Sequence, residues 1–542
     1  MTRCVMPRAS YDPAVRTLTL GVPRERAPRE KRVAIVPGVV AKLKELGFEV
    51  VVESGAGEAA GYGDDSYRDV GATIAAASDG PYREGGASAY GCDVVVKVMP
   101  FETDEIAKLR EGATTISLLY PARNPELVKA LAARGVTAIA LDKIPRITRA
   151  QKMDVLSSMA NLAGYRAVLE AAAAFQGFFG AQVTAAGTER PARILVIGAG
   201  VAGLAAIAAG RALGAEVRAF DVRAAAKEQV ESLGGKFLTV ELEESGEGAG
   251  GYAKSMSKEF IEAEMALFRA QAKEVDVIVT TALVPGAKAP ILVGDDVVAC
   301  LKPGSVVVDL AAEQGGNCSL TKPGEAVVHE GVTILGYTDL PSRMATTASR
   351  FFAGNVLALL SDMARGVAGG EAGFRVDLED EVVRAATLTH GGQELPPPPP
   401  PEPSPPAPKK DAPTIAKKPE PKPESATGAI VFGILMAVAF TLVAFYAPDA
   451  FVQRFTVFIL ACFVGWQVVW AVAPALHTPL MSVTNAVSGI VLVGGLLQAA
   501  PGGSSLAVIL GLCALLVATI NVAGGFFVTD RMLGMFKKGG PR

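Results

Sequence analysis

The stretch "ARILVIGAGVAGLAAIAAGRALGAEVRAFDVR", residues 192–223, decides the fold. It reads apolar strand, glycine turn, helix, second strand and acid, in that order. Gly198, Gly200 and Gly203 stand as G-x-G-x-x-G directly after "RILVI". In such a pattern the first glycine permits a tight turn. The second lets the backbone approach a pyrophosphate, and the third lets the helix pack closely. The helix N-terminus then offers amide donors and positive potential to phosphates. Asp221 closes the second strand, where an acid grips the adenosine ribose hydroxyls, and this favours NAD(H) over NADP(H). Arg218 and Arg223 lie near enough in sequence to blunt that preference. A glycine turn with no ligand is the bland alternative, and the complete strand–helix–strand–acid context argues against it. "SGAGEAAGYG" near Gly55 delays its third glycine by one residue and reads as a surface loop. One dinucleotide is therefore expected.

Outward from this unit, residues 17 to about 390 alternate apolar runs with helical patterns. "LTLGV", "FEVVVES", "DVVVKVM", "TTISLLY" and "TAIALD" are the runs, and "VVAKLKELGF" and "NPELVKALAARG" lie among the helical stretches. This alternation predicts two α/β lobes with parallel sheets covered on both faces. Residues 156–175 form a long run of strong helix formers that bridges the lobes. Residues 345–364 form a second long helix that crosses back and makes the first lobe discontinuous. The expected boundaries are an N-terminal extension over 1–16, a first lobe over 17–155 completed near 345–390, and a nucleotide lobe over 156–344.

The chain of 542 residues carries a net charge of −3, so nothing points to nucleic acid. Six scattered cysteines, with no CxxC pair, read as small hydrophobes in a reducing compartment, and no metal site is expected. The N-terminus has no apolar signal region. Residues 393–426 form a linker, and its proline-rich part, 395–424, reads as an extended tether reaching roughly 90 Å at ~3.1 Å per residue. Four apolar stretches follow over 427–530, each near the ~20 residues needed to span a bilayer. No Asp, Glu, Lys or Arg occurs between Arg454 and Asp530. Lys417, Lys418 and Lys422 precede the first stretch, and Arg531, Lys537 and Lys538 follow the last. Four spans put both clusters, the soluble region and the 531–542 tail on the cytoplasmic side.

A second polar stretch is "RITRAQKMDVLSS", residues 146–158. Arg146, Gln151, Asp154 and Ser157 recur at intervals of five, three and three. That spacing suits a site on a loop and one helical turn, although a solvated loop with a helix cap is the simpler reading of spacing alone. The first histidine in the chain is His329, so the usual general base is missing.

Long strings then point to a family. "GVPRERAPREKRVAIVP", "RAQKMDVLSSMANLAGYRAV", "VIGAGVAGLAA", "GGYAKSM", "VDLAAEQGGN", "SVTNAVSGIVLVGGLLQ" and "TINVAGGFFVTDRML" make the chain resemble the alpha subunit of proton-translocating nicotinamide nucleotide transhydrogenase. The resemblance covers nearly the whole chain except the N-terminal extension and the 78–91 loop. It implies direct hydride transfer between NADH and NADP+, with NAD(H) on this chain and NADP(H) on a beta subunit. It implies an inner-membrane location and a dimer of alpha–beta units.

The resemblance also implies residue roles. Arg146 would hold a carboxamide or anionic oxygen. Gln151 would bond a ribose or bridge toward NADP(H). Asp154 would orient Arg146 or a ribose, and Ser157 would contact the carboxamide. Ala199, Val201, Val222, Arg223, Ala282 and Leu283 would join the glycines and Asp221 in binding NAD(H). Tyr252, in the acidic glycine-rich stretch 241–256, would be the contact residue of a closing lid. The same architecture serves alanine dehydrogenase, whose chemistry needs a histidine and a lysine in the first lobe. Lys97 is present, but Tyr120 stands where the histidine is expected. Hydride transfer between two nicotinamides moves no proton at the reacting carbons and asks only for positioning and electrostatics.

The membrane segments offer Asn485, Ser488, Gln498, Asn521 and His477 as polar groups, and Asn485 and Asn521 read best as helix–helix glue. A membrane-tethered alanine-dehydrogenase-like enzyme and a non-catalytic NAD(H) sensor are the competing readings.

Overall fold

The computed structural model describes residues 18–77, 88–240, 257–283, 288–365, 374–397, 441, 445–471, 489–499 and 505–536. They fall in two units, divided between Pro401 and Glu402.

The first unit holds two large sheets. In the first, β1 (Leu18–Val22), β2 (Phe48–Glu53), β3 (Thr73–Ala75), β4 (Val94–Val96), β5 (Thr114–Ser117) and β6 (Thr137–Ala140) are parallel. A small separate hairpin, β7 (Gln182–Thr184) and β8 (Gly187–Glu189), precedes the second sheet. That sheet comprises β9 (Arg193–Ile197), β10 (Glu216–Phe220), β11 (Lys236–Leu238), β12 (Val277–Thr280), β13 (Val306–Asp309), β14 (Ala326–His329) and β15 (Val332–Leu335), in the order β11-β10-β9-β12-β13-β15-β14. Only β14 runs antiparallel there. The chain then returns to the first sheet, where β16 (Thr387–His390) pairs antiparallel with β6 and β17 (Gln393–Glu394) extends the edge. Central strands β4, β5, β6, β12 and β13 are buried along their whole length. Two-sided burial is what continuous apolar runs require.

Two helices join the lobes. The bridging helix Val155–Ala174 buries residues in both cores, Met159 and Leu162 in the first and Ala167, Val168 and Ala171 in the second. At Gly164 it crosses the helix Val201–Ala212. A Cβ on Gly164 would lie 1.9 Å from the carbonyl oxygen of Ala202, so only glycine allows this approach. The return helix Ala345–Arg365 packs Ala348, Phe352, Val356 and Leu360 into the first core. Other links between lobes are polar. The amide of Lys31 donates to Ser342 Oγ at 2.6 Å, and Arg29 donates to the carbonyl of Gly324 at 2.6 Å. The "SGAGEAAGYG" stretch is less of a surface loop than its composition suggests. Ala56 and Ala60 are buried, and the hydroxyl of Thr346 on the return helix donates to the Ala60 carbonyl at 2.7 Å.

The first core also encloses charge. Lys97 Nζ lies 2.7 Å from both carboxylate oxygens of Glu105, and neither side chain is more than 1% exposed. Tyr90 donates to the same carboxylate at 2.6 Å. Glu25 accepts from the amides of Val98 at 2.6 Å and Met99 at 3.3 Å. Burial pushes the Glu25 carboxyl up to about 7, against the pull of Lys97.

The second unit contains the helices Asp449–Ala471, Gly489–Gln498 and Ser505–Phe536. Asp449–Trp466 and Leu506–Gly524 are long and apolar enough to cross a membrane, with mean hydropathies of 1.4 and 2.5. Most of the first expected span lies outside the described residues. The last helix continues beyond the expected end at 530, past Arg531 to Phe536, because no proline intervenes. Cys92 and Cys318 are buried as expected, but Cys462 and Cys513 sit on exposed faces of these apolar helices.

Two outcomes follow from the packing. Gly164→Ala would gain up to ~1 kcal/mol by helix propensity alone, yet the Ala202 contact makes it overpacked. We expect a net loss of about 1–3 kcal/mol, measured by chemical unfolding. For Glu25, a folded value above the ordinary one means its contribution is present below the unfolded value of 4.5 and is lost as pH rises through about 7. Between pH 5 and pH 8 the unfolding free energy of Glu25→Gln should therefore shift in the variant's favour relative to the parent, by about 1–3 kcal/mol. A constant difference between the two would refute this.

Candidate functional site

The second sheet changes direction at β9. The chain passes from β9 to β10 and β11 on one side, then returns to β12 on the other. Ligands of open α/β sheets settle at the carboxyl ends of strands at such a switch point. The glycine turn follows β9 there, and residues 281–283 follow β12.

The three glycines answer different demands. Gly198 has φ +97°, and a Cβ on it would lie 2.6 Å from Thr281 Oγ1. A Cβ on Gly203 would lie 1.8 Å from the carbonyl oxygen of Gly198. The protein's own packing requires both. Gly200, which caps the helix Val201–Ala212, is different, because a Cβ there meets nothing within 4 Å. It faces open space beside the helix N-terminus, the place where a pyrophosphate needs close backbone approach. Val201 is 41% exposed on the same first turn. The residues present thus fit a dinucleotide phosphate group.

Asp221 follows β10 and is held by four donors. Oδ2 accepts from the amide of Ala199 at 2.7 Å and from Arg223 Nη2 at 2.7 Å. Oδ1 accepts from the amide of Arg223 at 2.9 Å and from its Nε at 2.8 Å. The acid therefore staples the glycine turn to the end of β10. Arg218 points elsewhere: it donates to Gln271 and Glu274, each at 2.7 Å. Of the two arginines flanking the acid in sequence, only Arg223 bears on it. Val222 packs against the core that holds Phe220.

The β12 side is held by residues that motif reading missed. Asn317, fully buried, accepts from the amide of Ala282 at 3.1 Å and donates to the carbonyls of Ala282 and Pro290. Asp309, also fully buried, accepts from Thr280, Ala311, Cys318 and Thr321. An acid ending the run "VVVD" is a signal, since a lone buried carboxylate must be hydrogen-bonded. Leu283 is 37% exposed next to this loop. Tyr252 and the whole 241–256 stretch lie outside the described residues.

The 146–158 stretch is tied to the elements around it. Residues Thr148–Met153 form a 3-10 turn. Arg149 pairs with Asp380 at 2.9 Å, Lys152 pairs with Asp362 at 2.6 Å, and Asn355 donates to the Lys152 carbonyl at 2.9 Å. Arg146 and Gln151 are exposed. Asp154 caps the bridging helix, accepting from the Ser157 amide at 2.8 Å and the Ser157 hydroxyl at 2.6 Å. Asp154 and Ser157 are thus brought together. The Ser157 proton is committed to Asp154, which leaves its oxygen as an acceptor.

One further expectation needs correction. The first lobe does hold a histidine: β16 carries His390 into the first sheet. Its Nδ1 lies 3.1 Å from Thr137 Oγ1, at the start of β6. Lys97 follows β4, at the opposite end of the parallel strands, so His390 cannot act with it. Tyr120 takes φ +46°, a conformation an aromatic residue rarely adopts.

Comparison with known proteins separates the possibilities that this fold leaves open. Residues 21–163 match the alanine dehydrogenase/PNT N-terminal domain and residues 167–396 the corresponding C-terminal domain. Residues 454–538 match the 4TM region of pyridine nucleotide transhydrogenase. The NAD(P) transhydrogenase subunit alpha of Haemophilus influenzae is 46% identical over 526 residues, covering 96% of this chain and all of that protein. That of Cereibacter sphaeroides is 47% identical over 533 residues, with the same coverage. The crystal structure of transhydrogenase from Sinorhizobium meliloti matches with a TM-score of 0.60 at 41% identity, over 70% of this chain and 98% of its own. Full-length likeness at this identity, through both lobes and the apolar segments, means that the chain belongs to the NAD(P) transhydrogenase subunit alpha family.

Proposed function

We propose that this chain is the NAD(H)-binding and membrane subunit of a proton-translocating transhydrogenase that works only with a beta subunit carrying NADP(H). The observation that carries the reading is the pairing of an open helix N-terminus at Gly200 with a first lobe whose Lys97 is locked away. Lys97, the group an amino-acid dehydrogenase would need, is buried and spent on both oxygens of Glu105. What remains is a site that positions. In the reaction, the C4 hydride of the dihydronicotinamide leaves with its electron pair and joins C4 of the NADP+ ring. NAD+ and NADPH result, and no proton moves at either carbon.

The geometry supports the following roles. The glycine turn and Asp221 hold the pyrophosphate and adenosine ribose. Ala282 and Leu283 line the β12 side. Ser157, with its own proton given to Asp154, accepts a hydrogen bond from the carboxamide amino group. Arg146 and Gln151, exposed beside a turn pinned at Arg149 and Lys152, face the incoming nicotinamide of the partner. Tyr252 joins the residues that contact the bound nucleotide. Residues 17–155 with 345–390 act as one lobe and 156–344 as the other. In the membrane part, four spans over 427–530 hold the soluble unit and both termini on the cytoplasmic side of the inner membrane. The assembly is a dimer of alpha–beta units. An alanine-dehydrogenase-like activity is the second reading, favoured only by the shared architecture and the retained Lys97.

Pyruvate, ammonia and NADH given to the purified chain should show no NADH oxidation above background, and steady turnover would establish the second reading instead. With the beta subunit reconstituted, Gln151→Asn should leave the NADH dissociation constant nearly unchanged. It should slow hydride transfer by on the order of 100-fold, because a displacement of about 1 Å between the rings is that costly. A wild-type rate, or a loss confined to NADH affinity, would remove Gln151 from the transfer geometry.

A further inference from the structure

The acid that selects the nucleotide is already occupied. Both oxygens of Asp221 carry two donors each, two from backbone amides and two from the Arg223 guanidinium. A carboxylate has about four lone-pair sites, so none is left for the two ribose hydroxyls. The amide donors cannot leave without unfolding the turn. The guanidinium can: the Arg223 side chain is 23% exposed while Asp221 is 6% exposed. Sugar hydroxyls therefore reach Asp221 only by displacing the Arg223 side chain. Its backbone stays in place, since the Arg223 amide is itself one of the four donors. The displaced guanidinium remains tethered at the rim of the ribose position, and a planar cation there is suited to a phosphate. Arg218 cannot take over this part, being held by Gln271 and Glu274.

We propose that Arg223 sets how strictly this site selects NAD(H) over NADP(H), by competing with the ribose for Asp221 and, once displaced, by tolerating a 2′-phosphate. The proposal rests on reading residues 192–223 as the NAD(H) site. Two effects follow. NADH binds more weakly than it would to an uncapped acid, because only the fraction of molecules with the guanidinium displaced is competent. NADPH is penalised less than a bare carboxylate would penalise it. A subunit that must bind and release NAD(H) in every cycle gains faster exchange from the first effect.

The test uses the full-length chain in detergent, titrated with NADH and with NADPH by nucleotide fluorescence. Arg223→Met removes the competitor and the cation together. NADH should bind about three- to tenfold tighter, as expected when a self-occupied state of roughly 70–90% is abolished. NADPH should weaken, so that the ratio of the two dissociation constants widens at least tenfold. Arg223→Lys keeps the charge but cannot chelate both oxygens. It should tighten NADH while holding NADPH near the parent value, and it serves if the methionine variant does not fold. Weaker NADH binding in either variant overturns the proposal, because Arg223 is then a contact to the nucleotide. An unchanged or narrower ratio in Arg223→Met overturns it as well. Failure of the site assignment itself looks different: the parent protein would then bind neither nucleotide.

Discussion

The contact between Gly164 and the carbonyl of Ala202 is what the rest of the soluble unit depends on. It joins two helices at backbone distance, with no side chain between them. One of these helices begins at the glycine turn; the other begins at the Asp154 cap, within the 146–158 stretch. Hydride transfer needs rings placed to within about an ångström. A flexible loop could not supply that. Two helices that touch at their backbones can, and each begins at one of the two candidate stretches. The ion pairs at Arg149 and Lys152 then fix the loop's remaining freedom against the return helix and its neighbour.

The polar groups around the crevice divide into two kinds. Asp309 and Asn317 are buried and engaged with their own chain, and they shape the end of β12. Asp221 and Ser157 are also engaged, but with groups that can be exchanged or that leave a usable lone pair. The difference lies in access to solvent more than in residue type. A carboxylate satisfied by buried amides and threonine hydroxyls is scaffold, and one satisfied partly by a guanidinium at the surface can still exchange partners.

Much of this was legible in the sequence because its signals were periodic or local. Continuous apolar runs marked the parallel strands, and the glycine spacing with its acid marked the nucleotide turn. The bridging helix is read to within a residue of Val155–Ala174, since it has strong formers throughout and an aspartate at its head. Other features were hidden because they are set by partners distant in sequence. His390 belongs to the first sheet through a pairing with β6, which lies about 250 residues earlier. Gly164 sits mid-helix among alanines, and nothing local says that another backbone will cover it. Asn317 bonds residues 27 and 35 positions away, beyond any spacing argument. Arg223 stood beside the acid in sequence, but whether it faced the carboxylate depended on the chain direction after β10.

The return of the chain to the first sheet also bears on how the molecule is made. β6 ends at Ala140, and its neighbour β16 begins at Thr387. At synthesis rates of about 5–20 residues per second, the ribosome takes roughly 10–50 s to deliver the strand that covers this edge. For that interval β6 presents unpaired amides and carbonyls, the kind of edge that recruits other chains. The second sheet draws its strands from a single continuous segment, so it can close while the first is still waiting. The proline-rich tether and the apolar helices emerge only after β17. Completion of the soluble unit and delivery to the bilayer thus follow one another along the chain, with the exposed edge sealed just before the membrane segments appear.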